Sequence, residues 1–370
     1  MRRSSLLEGA RGGRRATVWR RVLAILVFLV LGSIVLFAPT ACYLTRGAWE
    51  EAKILSRRRD ISSIVADPST GPAIRAKLRV VEGARAFARD SLGLKTGESF
   101  TTYSRRDHDT LVLVLSGAYR DRLAPYTWWF PVVGRVPYKG YFDFAAARQA
   151  KSDLEAQGFD TYLRPSDAFS TLGFFNDPLL NTTLRADSME LANTVIHELT
   201  HNTYYAPGQV DFNESFASFV GARGAASFFR SRGDSGAARR VDERWADDKL
   251  LGMFWAGLTR SLDSAFAAHP ADRAARLAAR AEVYGRARRQ LVDSIAPRLQ
   301  TIPPAYATRV RLDNATVLAH RVYASDLDSF ERLWERNQRQ LGATIGQVIQ
   351  IARGNRQHPL DAIRRAASGR

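Results

Sequence analysis

The sequence predicts an α+β fold: a small mixed sheet, one helix that carries chemistry, and a mostly helical C-terminal half. Three observations predict it. Residues 99–175 have β-like content, including the apolar run 111–115 and the stretch 128–134. From residue 187 onward, apolar residues recur almost throughout at helical spacing. Where the two patterns meet, a capped helical segment holds two histidines four residues apart. The bulk composition agrees. With 370 residues, 45% hydrophobic and 25% charged, the chain can bury a sizeable core and is not a disordered polymer. Its one cysteine excludes an internal disulfide and any Cys-rich zinc or iron–sulfur site.

Residues 1–21 hold seven arginines and one acid, Glu8, and so carry +6 of the formal net charge of +17. Residues 22–38 form an uncharged apolar run, short for a spanning helix and long for a signal-peptide core. An arginine-rich flank stays cytoplasmic, which places the body outside the inner membrane, in the periplasm of a bacterium. Pro39-Thr40-Ala41-Cys42 resembles a bacterial lipoprotein cleavage site, with proline where a large aliphatic residue is usual. Residues 1–42 therefore read as a membrane tether, either a signal anchor or a lipid on Cys42.

The body divides by pattern into an α/β part, 43–185, and a helical part, 186–353. Residues 43–95 read as helical through Arg57-Arg58-Arg59 and again over 74–92, with Gly93 as a stop. Residues 111–115, 128–134 and 160–163 read as strands, and Asp143 caps a helix ending near Gly158. Residues 169–175 read as an edge strand before Asn176-Asp177-Pro178; a buried turn is the competing reading. Asp187 with Glu190 starts a helix running to about Tyr204. The Gly-, Ser- and Arg-rich span 223–240 is expected to contain a loop. Val241, Trp245, Leu251, Trp255, Leu258, Leu262 and Phe266 line one helix face, interrupted at Asp248. Long helices are expected over 271–295 and 314–352, separated by Pro297 and Pro303-Pro304, and a frayed basic tail over 354–370.

The chemistry lies in His197-Glu198-Leu199-Thr200-His201. On a helix, positions i and i+4 share a face, so both imidazoles can reach one ion. One zinc ion suits two nitrogen donors, a third protein ligand and water in the fourth position. Glu198, beside the pair, can take a proton from water that the ion acidifies. The competing reading is a polar surface helix. Against it, Leu191, Val195, Ile196 and Leu199 mark a partly buried helix, and buried histidines need partners. The third ligand is expected at Glu214, 13 residues after His201, because Pro207-Gly208 can turn a second helix back over the histidine face. Asp211 and Glu214 also fit a capping box, which would leave Glu214 away from any metal. Tyr323 is the candidate oxyanion donor, with His320 and Tyr204 behind it.

His197-Glu198-x-x-His201 followed by Asn213-Glu214-x-x-Ala217 resembles the glutamate-liganded zinc peptidases. Further stretches make the likeness closer: Phe130-Pro131-Val132-Val133-Gly134, Pro137-Tyr138-x-Gly140-Tyr141-Phe142-Asp143 and Ser170-Thr171-Leu172-Gly173-x-Phe175-x-Asp177-Pro178-Leu179-Leu180. With Asn314-x-x-x-x-Leu318 and Tyr323, the chain resembles a bacterial zinc aminopeptidase family over most of 42–350. That resemblance implies a zincin-like fold, a single zinc held by His197, His201 and Glu214, Glu198 as general base, and a peptide substrate. No residue in these stretches reads as a subsite for a free amino terminus, so exopeptidase and endopeptidase action both stay open.

Two other function classes compete. One is a non-enzymatic envelope protein with a structural zinc site; a fourth protein ligand would mark it. The other is a binder of nucleic acid or an anionic surface, drawn by the +17 charge. All but six of the 54 basic residues are arginines, spread along the whole chain, and no nucleic-acid motif accompanies them. Nucleic acid is therefore not an expected partner.

Overall fold

The computed structural model describes residues 52–105, 112–130, 134–166, 178–323 and 326–369, with Ser166, Val322 and Tyr323 described by their backbone alone. The basic segment, the apolar run, Cys42 and residues 169–175 lie outside the described residues. The chain divides into two units, Met1–Ser56 and Arg57–Arg370. In the first unit, residues 52–56 are helical.

The second unit opens with β1 (Arg59–Asp60), α1 (Ile61–Ala66) and α2 (Pro72–Asp90). Pro72 begins α2, where its missing N–H has no helical partner to lose. Gly93, at φ +70°, follows the helix end in the left-handed region, as expected of a stop. The helix expected through Arg57–Arg59 is interrupted, because Arg59 and Asp60 pair with β2 (Thr102–Ser104).

Strands β3 (Val112–Tyr119), β4 (Trp128–Phe130), β5 (Gly134–Val136) and β6 (Tyr138–Tyr141) precede α3 (Phe144–Ala156). Asp143 caps α3 by accepting from the N–H groups of Ala145 and Ala146, at 2.8 and 3.1 Å. Then come β7 (Phe159–Ser166) and β8 (Leu179–Leu180). Instead of one mixed sheet, the described strands form three small ones: mixed β1–β2–β8, antiparallel β6–β3–β7 and the hairpin β4–β5.

The rest is helical: α4 (Ser188–Thr203), α5 (Val210–Ser231), α6 (Ser235–Ala267), α7 (Arg273–Gln290), α8 (Ala305–Arg309), α9 (Asn314–Tyr323), α10 (Leu327–Arg336), α11 (Leu341–Gly354) and α12 (Pro359–Ser368). The loop expected within 223–240 is present and short: 232–234 separate α5 from α6. Two expectations need correction. The long helix over 314–352 is three helices, with Gln338 and Arg339 at positive φ turning the chain between α10 and α11. The tail ends in α12, which buries Ala362, Ile363 and Ala367 against the core.

Two apolar clusters hold the unit together. The larger joins α2, α4, α5, the start of α6 and α10–α12. The smaller joins the later part of α6 to α7 and α9. The predicted α6 face is buried from Val241 to Phe266, and Asp248 stands exposed where the pattern lapses.

Candidate metal centre

Helix α4 starts where Asp187 accepts from the N–H groups of Met189 and Glu190, at 3.0 and 2.9 Å. Its apolar stripe, Leu191, Val195, Ile196 and Leu199, is wholly buried. That stripe fixes the rotation of the helix and leaves His197 and His201 on a neighbouring face, with side chains 17% and 18% exposed. Helix α5 is fixed in the same way. Phe212, Phe216 and Phe219 are buried and each packs on the ring of Phe330, with centroids 6.4, 6.0 and 5.7 Å away.

The connection between these helices is clamped by Asn213. Its Oδ1 accepts from Ala206 N–H and its amide donates to Ala206 C=O, both at 2.8 Å, and the residue is 2% exposed. The clamp closes the 204–209 turn, where Gly208 sits at φ +75°. It makes the residue before Glu214 part of the site's frame. The capping box expected at Asp211 and Glu214 does not form: α5 begins at Val210, so Asp211 lies inside its first turn. Glu214 is left for the histidines.

Close approach of the two helices depends on Gly221 and Gly224. A Cβ on Gly221 would stand 2.5 Å from Asn193 Oδ1, 3.0 Å from the Asn193 carbonyl oxygen and 3.2 Å from His197 Cβ. A Cβ on Gly224 would stand 2.9 Å from Ile196 Cγ2. Both are helix-packing residues, and Gly224 is so although it falls in the span expected to contain a loop.

The structure brings His197, His201 and Glu214 together. The two Nε2 atoms are 3.2 Å apart, His197 Nε2 is 3.5 Å from Glu214 Oε2, and His201 Nε2 is 3.6 Å from Glu214 Oε1. Donors about 2.0–2.2 Å from a shared centre at tetrahedral angles stand roughly 3.3–3.6 Å apart, so the spacing and the N, N, O donor set fit one ion such as zinc. Electrostatics agree. Burial lowers the His197 pKa, but contact with Glu214 and the charges of Glu198, Glu214 and Glu190 more than reverse this and raise it. Burial, then the charge of His197, pushes His201 down to about 4. Burial works to raise Glu214, yet His197, His201 and Arg164 hold it below the ordinary carboxylate range. His201 Nδ1 is buried without a hydrogen-bond partner.

Glu198 is exposed, one residue along α4 from His197, and its charge reaches that imidazole. Tyr323 ends α9, and its side chain lies outside the described residues. His320 is not placed as a donor to the triad: its ring stacks on Trp255 with centroids 4.3 Å apart and planes at 5°. Tyr204 packs its ring edge on Phe212, at 6.2 Å. Sequence reasoning missed the roles of Asn213, Gly221 and Gly224. Asn213 lay within the motif and the glycines within a helix, which are usable signals.

A family described as "Putative aminopeptidase" matches residues 42–361. No curated protein and no solved structure matches the chain.

Proposed function

Since the chain belongs to the putative aminopeptidase family, we propose that it is a membrane-tethered zinc metallopeptidase of zincin-like fold that removes residues from the amino ends of peptides. One observation carries the reading: three protein donors, two on α4 and one on α5, at the edge lengths of a tetrahedron. Three is the protein-ligand count of a catalytic zinc site, with the fourth position left for water or substrate. That count favours an enzyme over a structural zinc protein.

His197, His201 and Glu214 would hold the ion. Zinc in such a site supplies Lewis acidity toward water and toward the scissile carbonyl. Glu198 takes the proton of the attacking water and returns it to the departing amine. Its exposure beside a partly buried triad suits a group that must meet both water and substrate. The tether rests on the seven arginines before the 22–38 apolar run, which orient the body to the periplasm, with Cys42 as a possible lipid site. No helix among the described residues is long and apolar enough to cross a membrane.

Glu198→Gln tests the assignment. The full chain carrying it should bind zinc like the parent and lose about 100-fold or more in peptide hydrolysis. Loss of zinc, or undiminished hydrolysis, would overturn the role of Glu198.

A further inference from the structure

The connection between α4 and α5 does more than join the two helices that carry the metal donors. It leaves α4 at Tyr204 in extended backbone, at φ −152° and ψ 130°. Residues 206–209 then make a β-turn with Pro207 and Gly208 at its centre, closed where Gln209 N–H donates to Ala206 C=O at 3.1 Å. Asn213 grips Ala206 by both its N–H and its C=O. The side-chain amide of Gln209 donates to Gln357 C=O at 3.0 Å. The turn is thus bonded to α5 on one side and to the α11–α12 connection on the other.

Two large apolar side chains flank this turn and stay in solvent. Tyr205, just before it, is 45% exposed, and Val210, just after it, is 47% exposed. Their neighbours Ala206 and Phe212 are buried. The segment therefore has an apolar core within reach and holds these two side chains out of it. Both stand beside the metal donors. The Tyr205 ring lies 6.1 Å from the His201 ring, centroid to centroid, with planes at 67°. Val210 opens α5 four residues before Glu214, so the two share a helix face with Cβ atoms about 5–6 Å apart. One apolar group thus adjoins a histidine donor and the other adjoins the carboxylate donor.

We propose that Tyr205 and Val210 form a side-chain subsite of the metal centre, an apolar platform that takes the aliphatic or aromatic side chain next to the scissile bond. The inference rests on the peptidase reading and deepens it by naming the substrate class: peptides with a large apolar residue at the cleaved position. The two residues joined by a scissile bond have Cα atoms about 3.8 Å apart, so their side chains are the ones that start nearest the ion. Apolar surface left in water is a gain withheld until an apolar group covers it. Because hydrogen bonds already fix the turn, covering it costs little further ordering. The feature that Tyr205 and Val210 have in common is apolar area, so the ring of Tyr205 is the working part and its hydroxyl is not.

The test uses two probes with one zinc-binding group and different side chains, leucine hydroxamate and glycine hydroxamate. Their affinities for the zinc-loaded full chain are measured by calorimetry, with zinc affinity titrated separately. The parent should prefer the leucine probe about 10- to 100-fold. Tyr205→Ala and Val210→Thr should each lower that preference, Tyr205→Ala by about fivefold or more, with zinc affinity and glycine-probe affinity kept. Tyr205→Phe, which retains the ring, should restore it. Equal binding of the two probes by the parent overturns the proposal, as does failure of the parent to bind either, or an unchanged preference in Tyr205→Ala or Val210→Thr. A loss in Tyr205→Phe as large as that in Tyr205→Ala also overturns it, because the hydroxyl would then be the working part. Zinc affinity falling in step with the preference overturns it too, since Tyr205 would only position His201. A leucine preference that depends on Tyr205, in a chain that cleaves no peptide, would leave the subsite standing and remove the peptidase reading. Cleavage that is indifferent to the side chain, in the parent and in Tyr205→Ala alike, would do the reverse.

Discussion

At the scale of single residues, burial decides which titratable groups stay neutral. His320 is the clearest case. Burial pushes its pKa down to about 4, and the stack on Trp255 holds the ring in its apolar site. The unfolded chain takes up that proton near the ordinary value of about 6.5. Between about 6.5 and 4 the unfolded state therefore binds more protons, and stability falls as pH falls through that window. His320→Phe keeps a ring on Trp255 and removes the proton. Its urea midpoint should fall less than that of the parent on going from about pH 7 to about pH 5, with the change in the parent as the control. Equal falls would show that His320 contributes nothing to acid sensitivity. The same scale shows why Glu214 and Asn213 needed the structure. Each has a local reading, as a capping partner or a polar helix residue, and only their contacts with the histidines and with Ala206 choose between readings.

At the scale of elements, the site is a joint between α4 and α5. Fully buried apolar stripes set the rotation of both helices, and Gly221 and Gly224 set the distance between them. Gly221→Ala would gain about 1 kcal/mol of helix propensity. Overpacking against a backbone carbonyl costs about 1–3 kcal/mol, because that carbonyl cannot rotate aside. The second effect wins, and α5 moves outward with Glu214. The expected result is lower stability and zinc binding weakened by about tenfold or more, read by zinc titration and urea unfolding. Parent-like zinc affinity would show that Glu214 is not positioned by this contact. Element boundaries were legible wherever a local device made them, as at Asp143, Gly93 and Asp187. Within 223–240 the loop was legible but not its three-residue length, because Gly224, placed for helix packing, has the composition of a loop residue.

At the scale of the molecule, the larger core is tied by one buried charge cluster. Arg223 of α5 donates to both carboxylate oxygens of Glu331 of α10, at 2.7 and 2.6 Å, and Trp245 of α6 donates to Glu331 at 2.7 Å. Glu331→Ala would leave Nε and Nη2 of Arg223 and the indole N–H without that acceptor, with Nη1 still held by Asp242 at 2.7 Å. It should cost about 3–5 kcal/mol in equilibrium unfolding of the full chain. A loss below about 1 kcal/mol would mean that water or Asp242 takes over the charge. The sequence by itself determined the α+β class, the helical second half and the helix bearing His197, Glu198 and His201, because periodicity, caps and i, i+4 spacing are local properties of the chain. It also singled out Glu214, without deciding between ligand and cap. Tertiary structure alone decided the approach of Glu214 to the two histidines, the fracture of the small sheet into three and the docking of the basic tail as α12. The physical reason is common to all three. Each depends on contacts between segments far apart in sequence, and no local pattern encodes the distance between two elements that meet only when the chain packs.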